Sequence, residues 1–281
     1  MLNFLSKVFF VIPVLFLAVS AFHLFGRGIE EHNHVLISTL YFALSGLAYY
    51  GLTIVYHRMR RIGQKQRNSY AHCIFNAVRS GEIQSFGIFL RPFYTTDRIR
   101  VRVPASYQGG NVTYFLEDQL VAALKKTIPI VALGRLDEAG VGRILTDDDW
   151  QHVAFSLIDH ASLIICIPSM RCGTKRELDY IMHNGFLRRT IFLMPPDDRI
   201  LFKFKTLRED WRAVSDYMAS NGINLPEYLP AGLLFSINAK GEYIKEKLDL
   251  TSRWSIRRAI ERLRPVGLEG NEHHTVVTKV A

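Results

Sequence analysis

The sequence predicts an α/β protein built on a doubly wound parallel sheet of five strands, preceded by two transmembrane helices. Three observations predict it. Short apolar runs at Ile88-Phe89-Leu90, Pro129 to Leu133, Leu163 to Ile167 and Thr190 to Met194 have the length and β-branched content of strands buried on both faces. Longer segments between them place apolar residues at helical spacing. Ahead of both lie two stretches without Asp, Glu, Lys or Arg, Val8 to Gly26 and His32 to His57. About twenty such residues span a bilayer's hydrocarbon core.

Taken in order, the N-terminal part predicts transmembrane helices over 8–26 and 35–56. A cleaved leader is the alternative for the first, because Lys7 precedes the apolar run and Ala18-Val19-Ser20-Ala21 resembles a cleavage site. After the second span come Arg58, Arg60, Arg61, Lys65, Arg67 and Arg79 with no acid, whereas Gly26 to His34 sets Arg27 against Glu30 and Glu31. The positive-inside rule then predicts a multi-pass membrane protein with a large cytoplasmic C-terminal domain. The expected organisation is a transmembrane hairpin over 1–57, a basic juxtamembrane connector over 58–84, the α/β domain over 85–265 and a flexible tail over 266–281.

Within the domain, the first strand ends in Arg91-Pro92-Phe93, and Asp97 to Val103 alternates as a half-exposed strand or ribbon. Helices are expected over about Tyr114 to Lys126, Asp147 to His160, Gly173 to Asn184, Lys205 to Asn221 and Ser252 to Arg264. Gly134 to Ile144 reads as a glycine-containing loop, and Gly232 to Ile237 as the fifth strand.

The net charge of +9 and pI near 9.5 owe much to the connector, where attraction to anionic lipid headgroups accounts for the cations without invoking nucleic acid. Cys73, Cys166 and Cys172 are odd in number and lack CxxC spacing, which suits a reducing compartment and argues against a zinc site.

The stretch Ser162 to Met182 carries the chemistry. A buried strand runs through Pro168-Ser169 into Arg171-Cys172-Gly173-Thr174 and then a helix bearing Glu177, with Leu178, Ile181 and Met182 on its apolar face. In open α/β sheets, ligands bind at the strands' carboxyl edge, and a helix N-terminus favours an anion such as phosphate. Gly173-Thr174-x-x-Glu177-Leu178-x-Tyr180 resembles the GT-x-x-E-L motif of nucleoside 2-deoxyribosyltransferases, and more loosely the segment of TIR domains that carries their catalytic glutamate. Arg171 stands where the transferases usually have an acid, and Gly173-Thr174 where TIR domains usually have Trp-Cys. The resemblance implies a flavodoxin-like sheet and chemistry at an N-glycosidic bond, with Glu177 catalytic; Arg91, which stands where the transferases usually have a small residue, and Ser169, Gly173 and Thr174 at the helix N-terminus are the expected substrate contacts.

Each residue has a competing reading. Thr174-x-x-Glu177 is also a capping box. Arg91 either clamps a pyrophosphate or is a salt-bridged arginine. Asp147, Asp148 and Asp149 complement a helix N-terminus more simply than they bind a metal, so no metal is expected. Gly134, Gly140 and Gly142 form at most a mobile loop over a nucleotide. Ser169 has no nucleophile elbow, which argues against a serine hydrolase. The resemblance implies an N-glycosidase, an NAD(P) glycohydrolase or a deoxyribosyltransferase-like enzyme, with NAD or another nucleotide as substrate and no cofactor, and the two expected spans would tether it to a membrane. The rival expectation is a non-catalytic interaction or nucleotide-sensing module. The partners expected are membrane lipids, a nucleotide and further copies of the chain, with no nucleic acid.

Overall fold

A mixed sheet of seven strands separates two apolar layers. The structure, a computed structural model, describes residues 32–82, 85–92, 99–104, 111–136, 138, 140–145, 149–196, 205–238, 241–247 and 253–264. The chain divides into two units, Met1–Gly63 and Gln64–Ala281.

Helix α1, His32–Ser80, belongs to the first unit as far as Gly63 and to the second from Gln64. The expected membrane topology is corrected here: among the described residues no helix is long and apolar enough to cross a membrane. The uncharged run of α1 is diluted by Ser45, Gly46, Tyr49, Tyr50, Gly51, Thr53 and Tyr56 and ends at Arg58, Arg60 and Arg61. The expected first span, 8–26, lies outside the described residues, as does the expected tail, 266–281. The cytoplasmic placement rested on those spans and goes with them.

In the second unit, Ala71, Ile74 and Val78 of α1 join the core of one layer. The basic connector is thus mostly helix. Arg67 Nη2 donates to Gln64 Oε1 at 2.6 Å and the Arg79 guanidinium lies 5.6 Å from the Phe75 ring centre. Gly81, at φ +78°, ends the helix. Its N–H donates to the Val78 carbonyl and that of Glu82 to the Ala77 carbonyl, the paired bonds of a left-handed C-terminal cap that favours glycine.

The sheet comprises β1 (Gly87–Leu90), β4 (Ile130–Leu133), β5 (Gly142–Ile144), β6 (Leu163–Cys166), β7 (Thr190–Met194), β8 (Leu233–Ile237) and β9 (Tyr243–Lys247), in the order β5-β4-β1-β6-β7-β8-β9. Strands β2 (Arg100–Pro104) and β3 (Asn111–Phe115) form a separate antiparallel ribbon. The remaining helices are α2 (Leu116–Leu124), α3 (Trp150–His160), α4 (Cys172–His183), α5 (Lys205–Ser220) and α6 (Arg253–Leu263). Residues from α1, α3, α4 and α5 contribute to one apolar layer, and residues from α2 and α6 to the other.

The expectation of five parallel strands is corrected to seven in a mixed sheet. Strands β5, β4, β1, β6 and β7 pair in parallel, but β8 runs antiparallel to β7 and β9 antiparallel to β8. The reversal follows from the segment after α5. Trp211 Nε1 donates to the Pro226 carbonyl, Tyr228 OH to that of Pro195, and the Leu229 N–H to Met194 Sδ. The chain therefore returns to the carboxyl end of β7, and a strand starting there must run the other way. Strand β9 closes a hairpin in which the Asn238 N–H donates to the Glu242 carbonyl. The helix expected from Tyr114 starts at Leu116, because Asn111–Phe115 completes the ribbon.

Parallel order changes sides at β1. The chain leaves β1 toward β4 by way of α2 and later lays β6 on the other flank of β1, putting a topological switch point between β1 and β6. This is the crevice where open α/β sheets bind ligands.

Strand β5 also approaches α1 closely. A Cβ on Gly142 would lie 2.6 Å from the Arg67 carbonyl oxygen and 3.1 Å from Ala71 Cβ. Gly142→Ala is expected to lower stability by about 1–3 kcal/mol through overpacking, read as a lower urea midpoint. An unchanged midpoint would show that helix and strand part more easily than these distances allow.

Candidate functional site

Two arginines and two glutamates meet at the carboxyl edge of the sheet. Arg91 follows β1 directly, and Arg143 lies in β5, two strands away. Along each strand side chains alternate. Ile88 and Leu90 face the first apolar layer and Phe89 the second, so Arg91 shares the side of Phe89; Ile144 likewise faces the first layer and leaves Arg143 to the second. Strand β4 lies between them, with small Ala132 beside Arg143.

The arginine side chains are 3% and 0% exposed, a burial that requires counter-charge. Glu117, in the first turn of α2, bridges both. Its Oε1 lies 2.6 Å from Arg91 Nε, and its Oε2 accepts a short hydrogen bond from Arg143 Nη2. Glu138 completes the group, with Oε2 3.3 Å from Arg91 Nη2 and 3.7 Å from Arg143 Nε. Burial draws the Arg143 pKa below its ordinary value, against the charge of Glu117.

The glycines of the 134–142 segment make room for these carboxylates. At Gly140, φ +106°, a Cβ would come within 2.6 Å of Glu117 Oε2; at Gly134 it would lie 2.9 Å from Glu138 Oε2. Polar side chains of α1 brace the same segment. Asn68 Nδ2 donates to the Leu136 carbonyl and Gln64 Nε2 to that of Val141, while Asn68 Oδ1 accepts the Arg143 N–H.

Across the switch point, α4 carries the predicted motif. Its N-cap is Arg171, without a side-chain cap hydrogen bond, so Thr174 lies inside the first turn and Glu177 beyond it. The capping box does not form, and Glu177 is not at the helix terminus. Thr174, Glu177, Leu178 and Ile181 are instead the helix's buried face. Ser169 is buried and its Oγ accepts the Arg171 N–H at 3.2 Å. Gly173 is half-buried. Glu177 is 6% exposed and its Oε2 has no hydrogen-bond partner. Burial pushes its pKa up to about 8, against the opposing field of Arg91. Burial also raises the Cys166 thiol well above its usual range, with Glu177 adding to the effect.

Arg91 follows β1, and Ser169, Gly173, Thr174 and Glu177 follow the adjacent β6, with Arg91 close enough to influence Glu177. Arg91 is ion-paired within the protein, the salt-bridged alternative among its two readings. The Gly134–Gly142 segment encloses carboxylates. Thr146, Asp147 and Asp148 lie outside the described residues, and Asp149 forms no side-chain cap to α3. His160 Nδ1 and His183 Nδ1 contact carbonyls one turn back on their own helices. No cluster suited to a metal occurs among the described residues. Glu117, Glu138 and Arg143 escaped the sequence reading; the available signal was Arg143 inside the otherwise apolar Val141-Gly142-Arg143-Ile144 run.

Comparison with protein-family models, with characterised proteins and with solved structures finds no match. The reading of the site therefore rests on its geometry and on the motif resemblance alone.

Two tests follow from the buried charges. Glu117→Gln is expected to destabilise the protein by about 3–5 kcal/mol by stranding a buried charge, whereas Glu117→Leu combined with Arg143→Met costs less than either single change. Chemical denaturation of the cycle checks this, and additive losses would show that the pair does not act as a unit. Glu177 has the opposite sign. Its folded pKa of about 8 exceeds the unfolded value, so the folded state holds the proton more tightly. Its contribution becomes unfavourable as pH rises from about 4.5 to about 8 and is constant above. Glu177→Gln should therefore stabilise the protein relative to wild type at pH 8 to 9 and make little difference near pH 4.5, measured by urea midpoints across that range.

Proposed function

We propose that this chain cleaves the N-glycosidic bond of a nucleotide bound at the switch point between β1 and β6, with Glu177 as the catalytic acid. The observation that carries the reading is the Glu177 carboxyl, buried at the carboxyl edge of the central strands with Oε2 unpartnered and a pKa raised to about 8. A carboxyl in that state is neutral at pH 7 and can donate a proton. The bond from C1′ to the base nitrogen breaks with its electron pair passing to the base. Glu177 supplies the proton, water adds to C1′, and the proton water releases restores the carboxyl. The α4 N-terminus at Gly173 and Thr174, with Ser169 beside it, is the place for the nucleotide's polar groups.

The leaving group distinguishes substrates. A purine leaves more readily when protonated, which suits a neutral Glu177. Nicotinamide leaves NAD as a neutral molecule and requires an ionised carboxylate facing the ribosyl cation instead. NAD, expected from the resemblance, therefore predicts activity that rises as pH passes through the Glu177 pKa, and a purine nucleotide predicts activity that falls. The enclosed Arg91 cluster favours a second reading, a module that binds a nucleotide without cleaving it.

Incubation of the full-length protein with NAD, AMP and ATP, followed by chromatography of released base, separates the readings. Release by wild type and a loss of about 10²–10⁴-fold in Glu177→Gln, with a purine-release rate that declines above about pH 8, are expected. Equal rates in wild type and variant remove Glu177 from the chemistry. Nucleotide binding without base release establishes the second reading.

A further inference from the structure

We infer that the part of α1 from Leu44 to Arg61 docks along an anionic lipid surface, laying one side of the helix on it without spanning the bilayer. The inference is independent of what Glu177 does. Exposure divides this stretch into two sides. Ser45, Thr53, Tyr56, Arg60 and Gly63 are half-buried, and their spacing puts them on one side of the helix. The Thr53 hydroxyl is satisfied within the helix, donating to the Tyr49 carbonyl at 2.8 Å. The opposite side runs through Leu44, Leu47, Gly51, Ile54, Arg58 and Arg61 in steps of three or four. Leu44, Leu47 and Ile54 are 52%, 67% and 49% exposed, and Val55 beside them is 52% exposed. Both arginines are exposed as well. Apolar side chains gathered in this way on an open surface mark a site of interaction.

Charge decides the occupant. Helix α1 has no Asp or Glu anywhere between His32 and Ser80, so a second copy laid on this side brings further arginines and no acid to meet them. An anionic bilayer answers both halves of the surface. With the helix lying along it, Leu44, Leu47, Ile54 and Val55 enter the boundary between headgroups and acyl chains. Arg58 and Arg61, on the same side, turn their guanidiniums to lipid phosphates, which such groups bind in bidentate fashion, while their stems stay in apolar surroundings. The more polar side, with Ser45, Thr53 and Arg60, faces away. A helix held in this way lies on a membrane and does not cross it, in keeping with the lack of a spanning helix among the described residues.

Flotation of the full-length protein with lipid vesicles tests the proposal. Wild type is expected to float with phosphatidylcholine vesicles containing about 30% phosphatidylglycerol and about tenfold less with phosphatidylcholine alone. Arg58→Gln combined with Arg61→Gln should lower binding to the anionic vesicles about tenfold, and Leu47→Asn combined with Ile54→Asn should lower it at least as far. All four positions are exposed, so the variants keep the fold, as circular dichroism checks. Equal flotation with both vesicle compositions overturns the proposal. So does binding that neither pair of substitutions weakens, because another part of the chain then holds the lipid. Self-association without vesicles, abolished by the Leu47→Asn and Ile54→Asn pair and accompanied by no flotation, also overturns it and makes a second copy the occupant. Lipid binding is read without any nucleotide, so this surface and the cleavage reading stand or fall separately.

Discussion

Two guanidiniums with almost no contact with water must be neutralised where they lie, and much of the carboxyl edge is arranged to do it. Arg143 is carried by a short outer strand, and Arg91 by the turn leaving the central one. Glu117 reaches both from the first turn of α2, which fixes where that helix begins relative to the sheet. The segment between β4 and β5 must then pass close over the carboxylates, and Gly134 and Gly140 supply the space. Removing one charge from such a group leaves another without compensation, which is why buried ion clusters tolerate joint replacement better than single changes.

Glu177 represents the other solution to burying an acid. Without a hydrogen bond at Oε2, and with Arg91 too weak an influence to offset burial, it holds its proton instead of its charge. The carboxyl edge between β1 and β6 thus carries the Arg91–Glu117–Glu138 ion cluster and a carboxyl whose pKa burial raises to about 8. Arg91 acts on both.

The two outer strands of the sheet are managed differently. Strand β5 is closed off by α1, whose backbone comes so near Gly142 that no side chain fits, and whose Gln64 and Asn68 hydrogen-bond the chain leading into the strand and Arg143 within it. Strand β9 is left at the edge with the sequence Tyr-Ile-Lys-Glu-Lys, and charged residues of that kind discourage pairing with another chain. The part of α1 from Gln64 onward is therefore a structural layer of the α/β unit. A reading of 58–84 as a basic juxtamembrane connector misses this, because Ala71, Ile74 and Val78 count for burial only once β5 lies beneath them.

What the sequence by itself determined is the set of elements whose burial is uniform: the apolar strands β1, β4, β6 and β7, and the helices with one apolar stripe. The placement of Ser169, Thr174 and Glu177 at the carboxyl edge was legible too, because a buried strand leading through a small-residue turn into a helix admits few geometries. Tertiary structure alone decided the rest. Strand β5 could not be recognised locally, since its central residue is an arginine whose neutralising partner lies 26 residues away. The direction of β8 depends on where the chain returns after α5, not on its own apolar residues. The Thr174-x-x-Glu177 pattern suggested a helix start that the fold places at Cys172 instead, turning the glutamate from a cap into a buried acid. An uncharged run such as 35–56 records composition, but whether it serves as a membrane span depends on helix length and continuity of apolar character. Local periodicity reports what each segment can bury; which charges meet, and which way a strand runs, are set by contacts between residues far apart in the chain.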